Sequence, residues 1–377
     1  MSTPTGHWDD PVDLIVIGGG INGAGIARDA AQRGLSVVLF ERSDFGAGAT
    51  GNSSGMIHGG IRYLLNDPEV TRLACLDSGY IQKIAQHLIF RIPFVMPMRG
   101  TSILRKTYIT LTEMYFEVYD RYQPLKQGKP HCRLTGEEIH QIVPGLDPTV
   151  AGAVTTDEWG IDSYRLNLIN AMDAAEFGAE LNTYHEVIAL LRGDNGEIRG
   201  VKVRDRLSGA VEERFGKVVL NAAGAWATKV FGLTSQHKDL VRPGKGIHVV
   251  YPGRLTNYAI IAKAIDGRQI FICPHQNETW IGTTDDDYWG DLDDIEILED
   301  EVKYLVDGVA NIFPAVLKHR ISRLTVGCRP TIYAYGPTES ALSRDHMLHD
   351  HRTDGAPNLF SLTGGKLASY RIISEEV

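Results

Sequence analysis

The chain has little cysteine: four residues in 377, Cys75, Cys132, Cys273 and Cys328, none of them in a C-x-x-C pair. Their scatter offers no zinc or iron–sulfur ligand set and fits four reduced thiols in the cytosol. No run of about 18 apolar residues occurs, so no segment reads as a spanning helix. The N-terminus, MSTPTGHWDDPVD, has neither the basic start nor the apolar centre of a secretory signal. Basic residues are outnumbered: the net charge is −9, which argues against nucleic acid as the main partner because phosphate backbones need a basic surface. It leaves room for a local basic pocket that takes a small anion. Low-complexity tracts and long-period repeats are also absent.

What is present is a packable interior and a surplus of patterned glycine. Apolar residues make up 43% of the chain, and its length suits two domains or one with a large insertion. Residues 13–17, DLIVI, form a β-branched run suited to a strand buried on both faces. Gly18-Gly19-Gly20-Ile21-Asn22-Gly23 follows, then an alanine-rich helical stretch that stops at Gly34, then LSVVLF ending in Glu41. Strand, glycine turn, helix, strand, acid is the context a dinucleotide site needs. Gly18 permits the tight turn, Gly20 the approach of a pyrophosphate, and Gly23 close packing of helix on strand. The helix N-terminus offers unpaired N–H groups to phosphate. Glu41, 23 residues after Gly18, suits an unphosphorylated ribose, as in FAD or NAD.

A second match to the same pattern, GAGATG at 46–51, has neither a following helix nor an acid. It reads instead as part of a small-residue loop, Gly46 to Gly60, that lets backbone run close to a flat ligand. Thr50, Ser53, Ser54, His58 and Arg62 crowd along or beside it. The aromatic run YITLTEMYFEVYDRYQ reads as a core helix rather than a membrane-touching one, because Glu113, Glu117 and Asp120 would oppose an anionic surface. Asp285-Asp286-Asp287 reads as a solvated turn, and His346, His349 and His351 as strand residues, with His349 and His351 on one face; no metal is expected from either group.

DLIVIGGGINGAGIARDAAQRGLSVVLFER and SSGMIHGGIRYL resemble the FAD-dependent glycerol-3-phosphate dehydrogenases, of the D-amino-acid-oxidase-like flavoenzyme superfamily. VVLNAAGAWA at 218–227, WIGTTDDDY at 280–288, GCRP at 327–330, LSRDH at 342–346 and LTGGKLASYR at 362–371 agree with it. The resemblance implies an α/β fold: a Rossmann-like FAD-binding domain of the GR2/DAO type with a mixed-sheet substrate-binding domain. The FAD-binding domain is expected to be discontinuous, over 1–65, 150–235 and 340–377, with the substrate-binding or cap domain over 66–149 and 236–339. Many relatives continue into a C-terminal helical domain, which this chain is expected to lack.

The same resemblance implies residues for each part of the chemistry. For FAD it implies Gly18, Gly20, Ile21, Asn22 and Gly23, then Glu41 and Arg42, then Thr50, Ser53, Ser54, His58 and Gly59 on the loop. Val187, Ala223 and Gly224 fall on the adenosine side, and Gly364, Gly365, Lys366 and Leu367 at the flavin's pyrimidine end. Oxidation of sn-glycerol 3-phosphate to dihydroxyacetone phosphate needs a phosphate clamp and a base. Arg62, Tyr63, Arg329, Arg344 and Lys366 match the substrate-pocket positions. Arg329 is singled out because an unpaired charge at an apolar strand end is expensive. His58 is the first choice for the base, and His248 the second, with Lys245 nearby or at a strand edge.

The chain departs from the pattern at Gly55-Met56, where relatives often carry a lysine. The segment LTGEEIHQIVPGLDPTVAGAV looks like the anaerobic branch and HGGIRYL like the quinone-reducing one, so the acceptor stays open between quinone and a partner subunit. Peripheral contact with the inner face of the cell membrane and a homodimer are further expectations. The rival readings are an oxidase that makes H2O2 from O2, an oxidoreductase of a hydroxy or amino acid, and a non-catalytic redox-sensing flavoprotein.

Overall fold

The structure, a computed structural model, describes residues 10–61, 64, 68–100, 103–337, 342 and 345–377, with backbone only for 103–108. In chain order the strands are β1 Val12–Ile17, β2 Val37–Glu41, β3 Ile89–Arg99, β4 Arg133–Thr135, β5 Val150–Ile161, β6 Glu180–Thr183, β7 His185–Arg192, β8 Ile198–Asp205, β9 Val211–Asn221, β10 Val241–Pro252, β11 Ala259–Lys263, β12 Gln269–His275, β13 Glu278–Gly282, β14 Asp286–Asp287, β15 Arg323–Ile332, β16 His346–Asp350 and β17 Leu359–Gly364. The helices are α1 Ile21–Gln32, α2 Pro68–Ile84, α3 Ile103–Asp120, α4 Gly136–Ile142, α5 Ser163–Glu176, α6 Ala227–Phe231, α7 Glu299–Ala310 and α8 Tyr370–Glu376.

Two sheets result. The first runs β16-β17-β9-β1-β2-β6, with the β7–β8 hairpin joined to β9. Its centre is parallel: β1 lies between β2 and β9, and β17 lies beyond β9. A parallel sheet is covered on both faces, and accordingly Ile15 and Val16 are wholly buried although they point to opposite sides. α1 lays its alanines, Ala24, Ala27, Ala30 and Ala31, against one face. The approach is so close that a Cβ at Gly23 would collide with the Gly18 carbonyl. Burial of Ile26, 2% exposed, adds roughly 1.5–3 kcal/mol to this contact.

The second sheet runs β14-β10-β13-β12-β11-β3-β5-β4, with β15 on the other edge of β10. Its core face sets Ile247 and Val249 of β10, with Ile270 and Ile272 of β12, against Leu305 and Val309 of α7. One expected boundary moves. Residues 150–161, assigned by sequence to the FAD-binding segment, form β5, which pairs along its length with β3 from Ile89↔Ile161 to Arg99↔Val150. The chain therefore crosses to the first sheet at Asp162, the N-cap of α5, whose side chain accepts from Arg165 N–H. The cause is pairing: a β-branched run reads the same whichever sheet receives it.

α2 links β2 of the first sheet to β3 of the second, α3 links β3 to β4 within the second, and the two form a helical insert. α3 buries Ile109, Phe116 and Tyr119 and exposes Leu111, Met114 and Val118. It packs by one face and leaves apolar side chains on the other, and among the described residues no helix is long and apolar enough to cross a membrane.

Candidate active site

Glycine cradle, acid and C-terminal turn meet where the strands of the first sheet end. Gly18 follows β1, Glu41 ends β2, Ala223 and Gly224 follow β9, and Gly364-Gly365 close β17. That common edge is where open α/β sheets bind ligands. Gly18 has φ +113°, and a Cβ there would come within 2.6 Å of Ala222 O. Gly20 caps α1 without a side-chain bond, and the helix's first turn carries no acid. Apart from Ile21 N–H, which donates to Thr50 Oγ1, the N–H groups of its first turn are thus left to an anion. Glu41 accepts from Gly19 N–H at 2.7 Å and from Ser43 N–H at 2.8 Å. Asn22 Oδ1 is buried without a hydrogen-bond partner. Asn22 Nδ2 lies 3.4 Å from where a Cβ of Gly365 would sit, and Leu367 packs on the cluster containing Ile21. Val187 packs on the cluster of Ile17 and Phe40, at the ends of β1 and β2. An orphaned buried oxygen, an acid-free helix start and glycines with no room for Cβ fit a dinucleotide diphosphate such as FAD.

Four of the expected cofactor residues are engaged within the chain. Arg42 stacks on Trp226, 4.5 Å from its ring, and pairs with Asp293 at 2.5 Å. Ser54 Oγ lies 2.8 Å from His248 Nε2 of β10. Thr50 Oγ1 accepts from Ile21 N–H at 3.1 Å, and Ser53 donates to Thr50 O. The 46–51 pattern is a series of turns with no helix behind it. Gly55 stands at a position whose geometry calls for glycine. Its φ is +58°, and a Cβ would sit 2.9 Å from Ile161 O and 3.0 Å from His275 Nε2. A lysine there would strain this backbone.

The loop's other wall is one face of the second sheet. The register of β10, β13 and β15 places Gly246, His248, Thr325, Gly327, Arg329 and Gly282 on this face. Arg329 lies over Gly246, whose Cβ would meet its guanidinium at 2.6 Å. That guanidinium is partnered: it pairs with Asp285 at 2.9 Å and donates to Thr283 Oγ1 and Thr284 O. The cost of a lone charge, which singled out Arg329 by sequence, is therefore met inside the chain. Lys245 points the opposite way, 2.7 Å from Glu301 Oε2 and 6% exposed, so it is neither at the site nor on an edge surface. Lys366 is half-buried at the turn after Gly365. Arg62, Tyr63 and Arg344 lie outside the described residues.

Three residues missed by sequence complete this face. His275, Trp280 and Arg323, with Asn52, Ser53 and Tyr164, line a cavity of ≈ 320 Å³. The His275 ring lies 4.8 Å from that of Trp280, which lies 5.3 Å from that of His248. Only the alternation within β12, β13 and β15 hinted at them, and it needed the register with β10 to become a site.

The two candidate bases differ in electrostatics. His248 is pushed down to about 3, by burial first and then by the charges of Arg329 and His275. It is neutral near neutrality and a poor proton acceptor. His58 is half-buried on the loop, and its Nδ1 accepts from Gly60 N–H at 3.0 Å. Burial also lowers His275, His349 and His351. All four rings hold a proton more weakly in the fold than in the unfolded chain, where they protonate below the ordinary imidazole value of 6.5. The unfolded state then binds more protons, so stability falls as pH drops below about 6.5 toward 3. Calorimetry should find Tm falling from pH 7 to pH 5, and His248→Asn should flatten that slope. A slope unchanged by the substitution would contradict the assignment.

The other clusters have structural partners. Asp285, Asp286 and Asp287 meet Arg329, Arg268 and Arg242 respectively, so the run is an ionic junction rather than a solvated turn. His349 and His351 do share a face, their rings stacked at 6.2 Å, and His351 bridges Asp354 and Ser361. Among the described residues no group of three His, Cys, Asp or Glu side chains is placed to hold a metal ion. Burial raises the thiols of Cys75 and Cys273 to about 12 and that of Cys328 to about 11, leaving Cys132 as the exposed one.

Comparison with known proteins agrees with this geometry. The family model described as FAD dependent oxidoreductase (DAO) matches residues 13–371. The chain is 33% identical over 372 residues to one subunit of the anaerobic glycerol-3-phosphate dehydrogenase of Escherichia coli K12, covering 96% of this chain and 65% of that one. It is 33% identical to D-erythritol 1-phosphate dehydrogenase of Brucella abortus, over 96% and 72% of the two chains. The structure of the glycerol-3-phosphate dehydrogenase from Bacillus halodurans complexed with FAD superposes with a TM-score of 0.74 at 25% identity, over 98% of this chain and 64% of that one. The chain thus spans less than two thirds of the E. coli and B. halodurans proteins. Motif, cradle and family model converge: the chain belongs to the DAO family of FAD dependent oxidoreductases.

Proposed function

We propose that the protein oxidises sn-glycerol 3-phosphate at its C2 hydroxyl to dihydroxyacetone phosphate. The observation that carries this reading is the basic, imidazole-bearing face of the second sheet set against the glycine loop: Arg329 over Gly246, neutral His248 beside it, and His58 on the loop. The likeness to enzymes named for phosphorylated polyols supports the substrate class.

FAD, when bound, supplies the acceptor for the two electrons lost by the substrate carbon. The chain's own residues do the rest. Asp285 and Thr283 fix the plane of Arg329, so that its guanidinium meets phosphate already oriented. Lys366, at the end of the Gly-Gly turn, adds a second positive charge. Arg62, Tyr63 and Arg344 are assigned to the same clamp from their motifs alone. His58 acts at the substrate hydroxyl. With Nδ1 accepting from Gly60 N–H, a neutral ring carries its proton on Nε2 and steadies the substrate oxygen as a donor. For Nε2 to accept the hydroxyl proton, the ring must exchange tautomer and release Gly60.

The onward acceptor is read as a quinone or a partner protein rather than O2, supported by the likeness to part of an anaerobic enzyme. Homodimerisation, a cytoplasmic location and peripheral contact with the membrane's inner face belong to the same reading. The test is anaerobic: FAD-loaded protein is mixed with sn-glycerol 3-phosphate and the visible flavin absorbance followed. Bleaching is the expected result. Persistent colour with glycerol 3-phosphate, but bleaching with erythritol 1-phosphate, a hydroxy acid or an amino acid, would replace the substrate. Persistent colour with all of them would favour a non-catalytic role.

A further inference from the structure

We propose that Glu158 is a positioning residue for the loop 57–61, and that the helical insert serves as the mould in which this loop sets. The inference rests on the reading above that the loop presents His58 to the substrate.

The loop is buried yet leaves the sheet. Met56 bridges Gly160, and Ile57 N–H donates to Trp159 O at 3.0 Å. Beyond that point side chains take over the backbone's polar groups. Ser78 of α2 donates to Ile57 O at 2.7 Å, and Thr71 of α2 to Gly60 O at 3.3 Å. Cys75 Sγ lies 3.9 Å from Gly59 O, and the Tyr115 hydroxyl of α3 donates to Ile61 O. Gly59 N–H donates to Glu158 Oε2 at 3.0 Å. Donors on the insert and one acceptor on β5 thus hold the backbone of Ile57, Gly59, Gly60 and Ile61. Such grips are what a buried irregular segment requires.

Glu158 is itself held. Its carboxylate, with the residue 4% exposed, takes Lys126 Nζ at 2.5 Å on Oε2 and the Tyr119 hydroxyl at 2.6 Å on Oε1. Lys126 is fully buried and also donates to Asp157 O. Apolar residues of similar volume often match or exceed a buried ion pair in stability. What they cannot replace is an acceptor for the Gly59 N–H. Because Gly60 N–H is bonded to the His58 ring, a turn of the peptides at 59–60 moves the imidazole. A side chain at Gly59 would collide with Tyr119 and Cys75, so the space between loop and mould is already filled.

The experiment compares two neutral pairs in FAD-loaded protein, Lys126→Met with Glu158→Met, and Lys126→Met with Glu158→Gln. The first removes the acceptor; the second restores it without the charge. Amide hydrogen exchange of residues 57–61 and the limiting rate of substrate-dependent bleaching are read side by side, with Tm as a control. The Met/Met pair should exchange about ten-fold faster at Gly59 and Gly60, and bleach about ten- to a hundred-fold more slowly at little-changed KM, as a misplaced catalytic group does. The Met/Gln pair should recover both. Unchanged exchange and rate in the Met/Met pair, or rates that follow Tm and ignore the acceptor, would overturn the proposal. So would faster exchange with an unchanged rate. If the Met/Met pair does not fold, Thr71→Val and Tyr115→Phe each remove one grip; an unchanged rate in both is equally fatal. Wild-type protein that never bleaches would sink the functional reading, while the exchange measurement would still decide whether Glu158 orders the loop.

Discussion

Arg329→Ala should lower kcat/KM for sn-glycerol 3-phosphate by about 10²–10³-fold, the 3–4 kcal/mol that a desolvated charge-assisted contact is worth. Most of the loss should fall on KM, because phosphate is held alike in ground state and transition state. FAD content should stay normal, since Arg329 stands on the second sheet and the cofactor cradle on the first. Asp285→Asn is the informative companion. It keeps the clamp but frees the guanidinium from its 2.9 Å partner, so a smaller rise in KM is expected. Arg329→Lys should rescue only in part, because an ammonium cannot reproduce the flat fork over Gly246. Kinetics unchanged in the alanine variant would remove Arg329 from the substrate and leave it a structural partner of Asp285.

His58→Asn should lower the limiting bleaching rate by roughly 10²–10⁴-fold, the usual worth of a positioned acid–base group, with little change in KM. His248→Asn should cost much less. Its ring, with a pKa held near 3, exchanges no proton with substrate at neutral pH and acts by holding Ser54 and the loop. The pH profile separates the two. A limb near neutrality in wild-type protein that survives His248→Asn and disappears in His58→Asn would assign it to His58. The reverse pattern would transfer the proton step to His248.

Much of the cradle was legible in the chain because its signals are local. DLIVI, the spacing of Gly18, Gly20 and Gly23, and Glu41 at the end of the second strand each describe a single βαβ unit. The 46–51 pattern could be set aside on the same local grounds. The substrate face was legible only where a motif carried it. The motif marked Arg329, but not its pairing with Asp285, because that depends on how β10, β14 and β15 lie side by side. His275, Trp280 and Arg323 stand on alternating strands with no spacing that marks them. The membership of β5 followed pairing with β3, which composition does not encode. Lys126 looks in sequence like any surface lysine in a turn-rich stretch. Its burial is set by Glu158, 32 residues further along the chain.

The central strand of the first sheet also sets an order of assembly. β1 finds its neighbour β9 only when the chain has returned some 200 residues later, as in Val12↔Gly216, and β17 joins β9 later still, through Leu359↔Val219. Meanwhile the second sheet has to complete pairings of its own, such as β11 with β3. Contacts of such high sequence separation form slowly, because loop closure must precede any gain. On a ribosome, the glycine turn emerges long before Gly364 and Gly365 and waits for them before its edge is whole. Cofactor capture is therefore a late event in the life of the nascent chain, and a chain cut short before β17 would leave the first motif without its last neighbour.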